Sequence, residues 1–200
     1  VCLKSVLVRD KAKQRSFEIA QNLVTDNFDE ILERTDIDIV VEVMGGEHPA
    51  LEFILAALES GKHVVTANKE VMAKHGPDIF AAARRKDVRV LFEASVAGGT
   101  PVVSPLMRDL VANEVVSIKA IINGTTNYIL TRMSSEQIDY KIVLKDAQDL
   151  GYAEPDPTND VEGIDAAYKL AILSTLGFRA QVKDSDVFYE GITSLSAKDF

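Results

Sequence analysis

Residues 38–46 read Asp38-Ile39-Val40-Val41-Glu42-Val43-Met44-Gly45-Gly46, a β-branched and mostly apolar run that stops on two glycines. Branching at Cβ stiffens χ1 and suits a pleated strand. A strand so apolar is expected inside a parallel sheet, covered on both faces. The same pattern recurs along the chain. Strand-like runs at residues 3–8, 37–43, 63–67, 88–93 and 115–122 are interleaved with helical periodicity at 28–34, 49–59, 70–85 and 101–112. Strand followed by helix, repeated, predicts an α/β fold with a parallel sheet and helices on its faces. In such sheets ligands bind beyond the C-terminal ends of the strands, where Gly45 and Gly46 fall and where a cofactor could approach the backbone. A plain turn accounts for a Gly-Gly pair equally well.

The next strand end carries Val65-Thr66-Ala67-Asn68-Lys69. Asn68 is placed to cap the following helix, with Lys69 at the positive end of its dipole. A cation there costs about 0.3–1 kcal/mol, which favours a functional role for Lys69 without removing the alternative of a surface lysine. Small residues and two glycines then link strand to helix over Glu93-Ala94-Ser95-Val96-Ala97-Gly98-Gly99-Thr100-Pro101, and the chain is divided here into residues 1–97 and 98–200. Further on, Asn123-Gly124-Thr125-Thr126-Asn127 can offer backbone N–H groups to a polar ligand, or can be a helix start capped by Thr126 or Asn127.

Residues 151–163 form an acidic, proline-stiffened loop that runs into Ile164-Asp165-Ala166-Ala167-Tyr168-Lys169. Asp165 and Lys169 are four apart and share one helix face. Their helix is otherwise apolar nearly all round, hence buried. Ionised groups on a buried helix cost several kcal/mol unless they are paired or used, so the two form either a structural ion pair or part of a polar cavity. The loop before them favours a reaction site. In that loop Pro155 biases Glu154 towards an extended conformation that can aim its carboxylate at a ligand.

Lys plus Arg is 22 against 31 for Asp plus Glu, a net charge of −9 that disfavours nucleic acid and anionic membrane as partners. Arg84-Arg85-Lys86 is too short to make a basic stripe. Cys2 is the one cysteine, so no internal disulfide or thiolate cluster can form, and a reducing, cytoplasmic compartment is expected. His48, His63 and His75 lack ligand spacing, which argues against zinc. No apolar run approaches the roughly 18 residues needed to cross a bilayer. The chain begins at Val1 and enters a strand almost at once, as expected of an internal piece of a longer polypeptide.

Four segments together resemble the homoserine dehydrogenase family: Val64-Val65-Thr66-Ala67-Asn68-Lys69, residues 92–101, residues 123–130, and Ala147-Gln148-Asp149-Leu150-Gly151-Tyr152 through Lys169. The last carries the family signature in long form, and the similarity covers essentially the whole chain. The resemblance implies a partial Rossmann-type parallel sheet followed by a mixed α/β catalytic and dimerisation domain. It implies interconversion of aspartate 4-semialdehyde and homoserine with NADP or NAD, in a homodimer or homotetramer. By resemblance, Lys69 and Lys169 flank the reacting carbonyl, Glu154 and Asp165 are substrate carboxylates, and Tyr152, Asp160, Gly124 and Thr125 line the substrate pocket. Glu93, Val96, Gly98 and Thr100 resemble a monovalent-cation site, usually sodium, ligated largely by main-chain carbonyls. The expected cofactor contacts are Gly45, Gly46, Thr66, Asn68, Lys69 and Arg9. At Val8-Arg9-Asp10 an acid would favour the ribose hydroxyls of NAD and an arginine the extra phosphate of NADP, so either cofactor is expected.

The chain departs from the family in lacking the glycine-rich phosphate loop and the C-terminal segment, and the isolated piece is expected neither to bind cofactor nor to turn over alone. Three other readings compete. An acylating semialdehyde dehydrogenase would need a nucleophilic thiol, for which Cys2 is poorly placed. A lysine-dependent sugar or polyol oxidoreductase would not require the constellation from Glu154 to Lys169. A binding or oligomerisation module would need neither lysine.

Overall fold

The computed structural model describes all 200 residues and divides into two compact units, one of residues 1–71 with 75–92, the other of 72–74 with 93–200. In the first unit β1 (Val6–Leu7) pairs in parallel with β2 (Val24–Thr25), and β3 (Ile39–Glu42), β4 (His63–Thr66) and β5 (Val90–Leu91) form a parallel sheet in that order. Helix α1 (Asp29–Leu32) precedes β3, α2 (Ala50–Glu59) joins β3 to β4, and α3 (Lys69–Arg85) joins β4 to β5. Parallel neighbours cannot be linked by a tight turn, and the crossovers from β3 to β4 and from β4 to β5 each take a helix. Ala50, Ile54, Ala57 and Leu58 are the buried residues of α2, and with Val64 they make the centre of this core.

The expectation that β3 is covered on both faces is corrected. Val40 and Glu42 turn inward, whereas Ile39, Val41 and Val43 are 46%, 63% and 72% exposed. Composition reports that a strand can tolerate burial on both sides; only the packing of other elements decides whether it receives it. The short β2 was not predicted. Its Thr25 hydroxyl donates to Glu30 at 2.6 Å, a polar role that breaks the apolar pattern by which strands are recognised.

The second unit is mostly helical: α4 (Gly124–Glu136), α5 (Tyr140–Asp149), the single turn α6 (Thr158–Val161) and α7 (Ile164–Gly177). Ile129 and Met133 of α4, Tyr140, Val143 and Ala147 of α5, Ala153 and Val161 form one buried cluster. Each large aliphatic member contributes about 1.5–3 kcal/mol by leaving water. Because Ala153 and Val161 belong to that cluster, the acidic loop between them is pinned at both ends. Helix α7 is buried as predicted, Leu170 being its one residue that is substantially exposed, at 37%.

Two expectations fail here. Residues 115–122 form no strand, with Val116 and Ile121 85% and 81% exposed. Strand propensity needs a hydrogen-bonded neighbour to be realised, and no other segment of the chain pairs with this one. Of the helix expected at 101–112, only residues 103–109 are helical, closing as a wide π-type turn over Pro105–Asp109. No helix is long and apolar enough to cross a membrane.

Candidate active site

At the C-terminal ends of β3 and β4 a chain of hydrogen bonds ties two loops together. Glu42, 4% exposed, accepts from Met44 N at 2.7 Å through Oε1 and from the Thr66 hydroxyl at 2.5 Å through Oε2. Thr66 Oγ1 in turn accepts from Asn68 N at 3.0 Å. Asn68 caps α3, as predicted, by accepting from Val71 N at 3.1 Å, and its amide donates to Gly46 O at 2.7 Å. The Gly45-Gly46 turn is therefore anchored to the strand end beside it. Both glycines have positive φ, +75° and +73°, where an L side chain is strained. No atom lies within 4 Å of where a Cβ would sit on either, so this backbone is open to close approach. Lys69 is the first residue of α3 and half-buried, at the dipole end expected for it. Arg9 is exposed, and the neighbouring Asp10 carboxylate folds back to accept from Ala12 N at 2.8 Å.

Sequence reasoning missed Glu42. The available signal was parity: a single carboxylate inside an apolar strand, on the same face as Val40, must find donors or cost several kcal/mol.

In the second unit Glu93 is half-buried and acts as a helix cap. Its carboxylate accepts from the backbone N–H groups of Val102, Val103 and Ser104 at 2.6, 2.8 and 2.8 Å and from the Ser104 hydroxyl at 2.5 Å. The Ser104 hydroxyl, with the backbone donors, holds the Glu93 carboxyl below its usual range. A depressed folded pKa stabilises above the unfolded value of about 4.5, and that contribution is lost as pH falls through the lower folded value. Glu93→Gln puts an amide nitrogen against an N–H donor and should lower stability by about 1 kcal/mol at neutral pH, partial solvation keeping the figure modest. Thermal melts at pH 7 and pH 3 check this: the difference from the parent should shrink at the lower pH.

Beyond Glu93, Ala97 and Gly98 adopt positive φ, +61° and +56°, and turn the backbone sharply through the segment of Val96, Gly98 and Thr100. The buried Ser95 hydroxyl, 2% exposed, has no hydrogen-bond partner within the protein.

The acid and base of α7 are joined. Lys169 Nζ donates to Asp165 Oδ2 at 2.5 Å and to Ile122 O at 2.7 Å, with side chains 16% and 2% exposed. An exposed helix bridge is worth 0–1 kcal/mol, but removing one partner of a buried pair costs about 3–5 kcal/mol. The burial here places this pair in the second class. Asn123, 8% exposed, donates from Nδ2 to Asp160 Oδ1 at 2.7 Å and to Asp165 Oδ2 at 2.9 Å. It is also the cap of α4, accepting from Thr126 N at 2.8 Å, so the cap is neither Thr126 nor Asn127 as expected. Gly163 allows this approach of α6 to α7: its φ is +84°, and a Cβ there would meet Glu190 O at 2.9 Å.

The other residues anticipated from sequence take no part in the hydrogen bonds of this cluster. Thr125 is buried and donates to Tyr152 O at 2.8 Å; Gly124, just before it, is exposed. The Tyr152 ring is 59% exposed and lies 4.8 Å from that of Tyr128. Glu154 is exposed in the loop, its carbonyl accepting from Gln148 at 3.1 Å. Lys69 belongs to the first unit and Lys169 to the second.

One unit is thus a parallel strand–helix sheet with an open glycine turn beyond its strand ends, where sheets of this class bind ligands, and the other carries a buried amine held by the Asp165 carboxylate and the Ile122 carbonyl. Comparison with known proteins is more specific. Residues 1–93 match the family model for the homoserine dehydrogenase NAD binding domain, and residues 101–200 match that for homoserine dehydrogenase. The chain belongs to the homoserine dehydrogenase family. It is 51% identical over 197 residues to the homoserine dehydrogenase of Synechocystis and 44% identical over 199 residues to that of Bacillus subtilis, covering 98% and 100% of this chain and 46% of each relative. A crystal structure of a homoserine dehydrogenase from Thiobacillus denitrificans superposes with a TM-score of 0.85 at 49% identity, over 88% of this chain and 41% of that one. A hyperthermophilic archaeal homoserine dehydrogenase in complex with NADPH gives 0.69 at 33% identity, over 77% and 48%. The chain thus spans about half the length of the relatives it matches.

Proposed function

We propose that the protein containing this chain interconverts aspartate 4-semialdehyde and homoserine with NADP or NAD. The observation that carries the reading is the buried Lys169–Asp165 pair, with its amine also held by Ile122 O and its acid also held by Asn123. In the reducing direction the aldehyde oxygen gains negative charge and then a proton, and a cation beside it lowers that barrier. Lys169 is the proton donor in this scheme. Lys69 is the second amine beside the carbonyl. In the reverse direction Lys169 must take up the proton of the alcohol, for which Asp165 and Ile122 O fix where its amine stands. Asp165, Glu154 and Asp160 bind the amino-acid end of the substrate, with Tyr152, Gly124 and Thr125 lining its pocket.

A nicotinamide cofactor, when bound, supplies the hydride. Gly45, Gly46, Thr66, Asn68, Lys69 and Arg9 are the residues that would hold it, and the glycine turn fits: its backbone is unobstructed and its conformation is fixed from behind by Asn68 and Glu42. A monovalent cation such as sodium suits the carbonyls of Glu93, Val96, Gly98 and Thr100, since the Glu93 carboxylate is already committed to the helix and the Ser95 hydroxyl has a free lone pair. Residues 1–97 serve as part of the nucleotide domain and 98–200 as the catalytic domain, in a homodimeric or homotetrameric cytoplasmic enzyme.

Steady-state assay of the intact protein with L-homoserine and either NADP or NAD tests the proposal. Homoserine-dependent reduction of one or both cofactors is expected; a stable, folded protein with no homoserine-dependent reduction of either would overturn it.

A further inference from the structure

We infer that Asn123 is a positioning residue for the reaction, its amide clamping the acids of α6 and α7 so that Lys169 is presented at one fixed point. The inference rests on the proposed function. Its basis is the hydrogen-bond inventory of one side chain. An asparagine amide has two N–H donors and one carbonyl acceptor, and here all three are committed. The donors go to Asp160 Oδ1 and Asp165 Oδ2, and the carbonyl accepts from Thr126 N and from the Thr126 hydroxyl at 3.0 Å.

Asp165 Oδ2 therefore receives two donors, the Asn123 amide and the Lys169 amine. Without the amide, the carboxylates of Asp160 and Asp165 would lose the donor they share, and their like charges would repel. The residue just before Asn123 contributes the other half of the arrangement, since Ile122 O accepts a second hydrogen bond from the Lys169 amine. Two consecutive residues, ordered by the start of α4, thus fix an amine carried by α7. Sequence separation of 37 and 42 between Asn123 and its two acids hides this clamp from any local pattern.

Two substitutions separate the roles of Asn123. Ser is a good helix cap but cannot bridge the acids, and Asp keeps the cap oxygen while replacing a donor with a third carboxylate. In the intact protein, with L-homoserine and NADP or NAD, Asn123→Ser should lower kcat/KM about 10-fold and Asn123→Asp about 100-fold, the scale of loss that slight misplacement of a reacting group produces. The KM for homoserine should rise while the KM for the cofactor stays constant, with activity expressed per folded molecule because both variants lose hydrogen bonds to the two acids. A purely structural asparagine would reduce the active fraction and leave both KM values unchanged. Lys169→Ala is assayed alongside. If it is inactive while folded Asn123→Ser and Asn123→Asp keep kcat/KM within twofold of the parent, the clamp is refuted and the proposed function stands. If Lys169→Ala is fully active, both fall. Should either Asn123 variant fail to fold, the folded one of the two decides.

Discussion

Lys169→Ala should lower turnover with homoserine by about 10²–10⁴-fold, the usual contribution of a positioned proton donor or acceptor, while leaving cofactor affinity unchanged. The same change leaves Asp165, 2% exposed, with the Asn123 amide but without its amine, and breaking a buried pair costs about 3–5 kcal/mol. Activity must therefore be expressed per folded molecule. Lys169→Arg is the informative companion. A guanidinium restores the charge opposite Asp165 but is effectively never deprotonated, so it cannot exchange a proton with substrate. If the pair is only an internal brace, Arg rescues stability and turnover together. The proposed role expects recovered folding with turnover still low. Unchanged turnover in the folded Ala variant would remove Lys169 from the mechanism.

Asp165→Ala is expected to weaken homoserine binding by about 10–150-fold, equivalent to losing one charge-assisted hydrogen bond of about 1.5–3 kcal/mol, and to reduce turnover as well because Lys169 loses its acceptor. Lys169 then keeps Ile122 O alone, and the Asn123 amide keeps Asp160 alone. Substrate titrations at saturating cofactor separate the two effects. A fall in thermal stability with kcat and KM unaltered would identify the acid as structural. Glu154 makes a useful contrast: it is exposed and joins none of these hydrogen bonds, so its removal cannot act through the position of Lys169.

The parts of this molecule that were legible in its sequence are those set by local chemistry. Strand and helix alternation in the first unit follows from β-branched runs ending in turn residues, and Asn68 caps α3 because a short polar side chain before a helix can reach its free N–H groups. Burial of Asp165 and Lys169 was readable because α7 offers so little polar face. What escaped depends on partners distant in sequence. Residues 115–122 have the composition of a strand and no neighbour to pair with. Glu42 and Asn123 look ordinary until the ends of other elements bring Thr66, Asp160 and Asp165 to them. Resemblance to a family identified the lysines and acids of the signature but passed over the amide that holds two of those acids.

A crystal structure of the intact protein with L-homoserine and an oxidised nicotinamide cofactor tests the central claim most directly. The substrate hydroxyl should lie within about 3 Å of Lys169 Nζ, with the Asp160 and Asp165 carboxylates still bridged by Asn123. Homoserine bound at a site that makes no contact with Lys169 would contradict it.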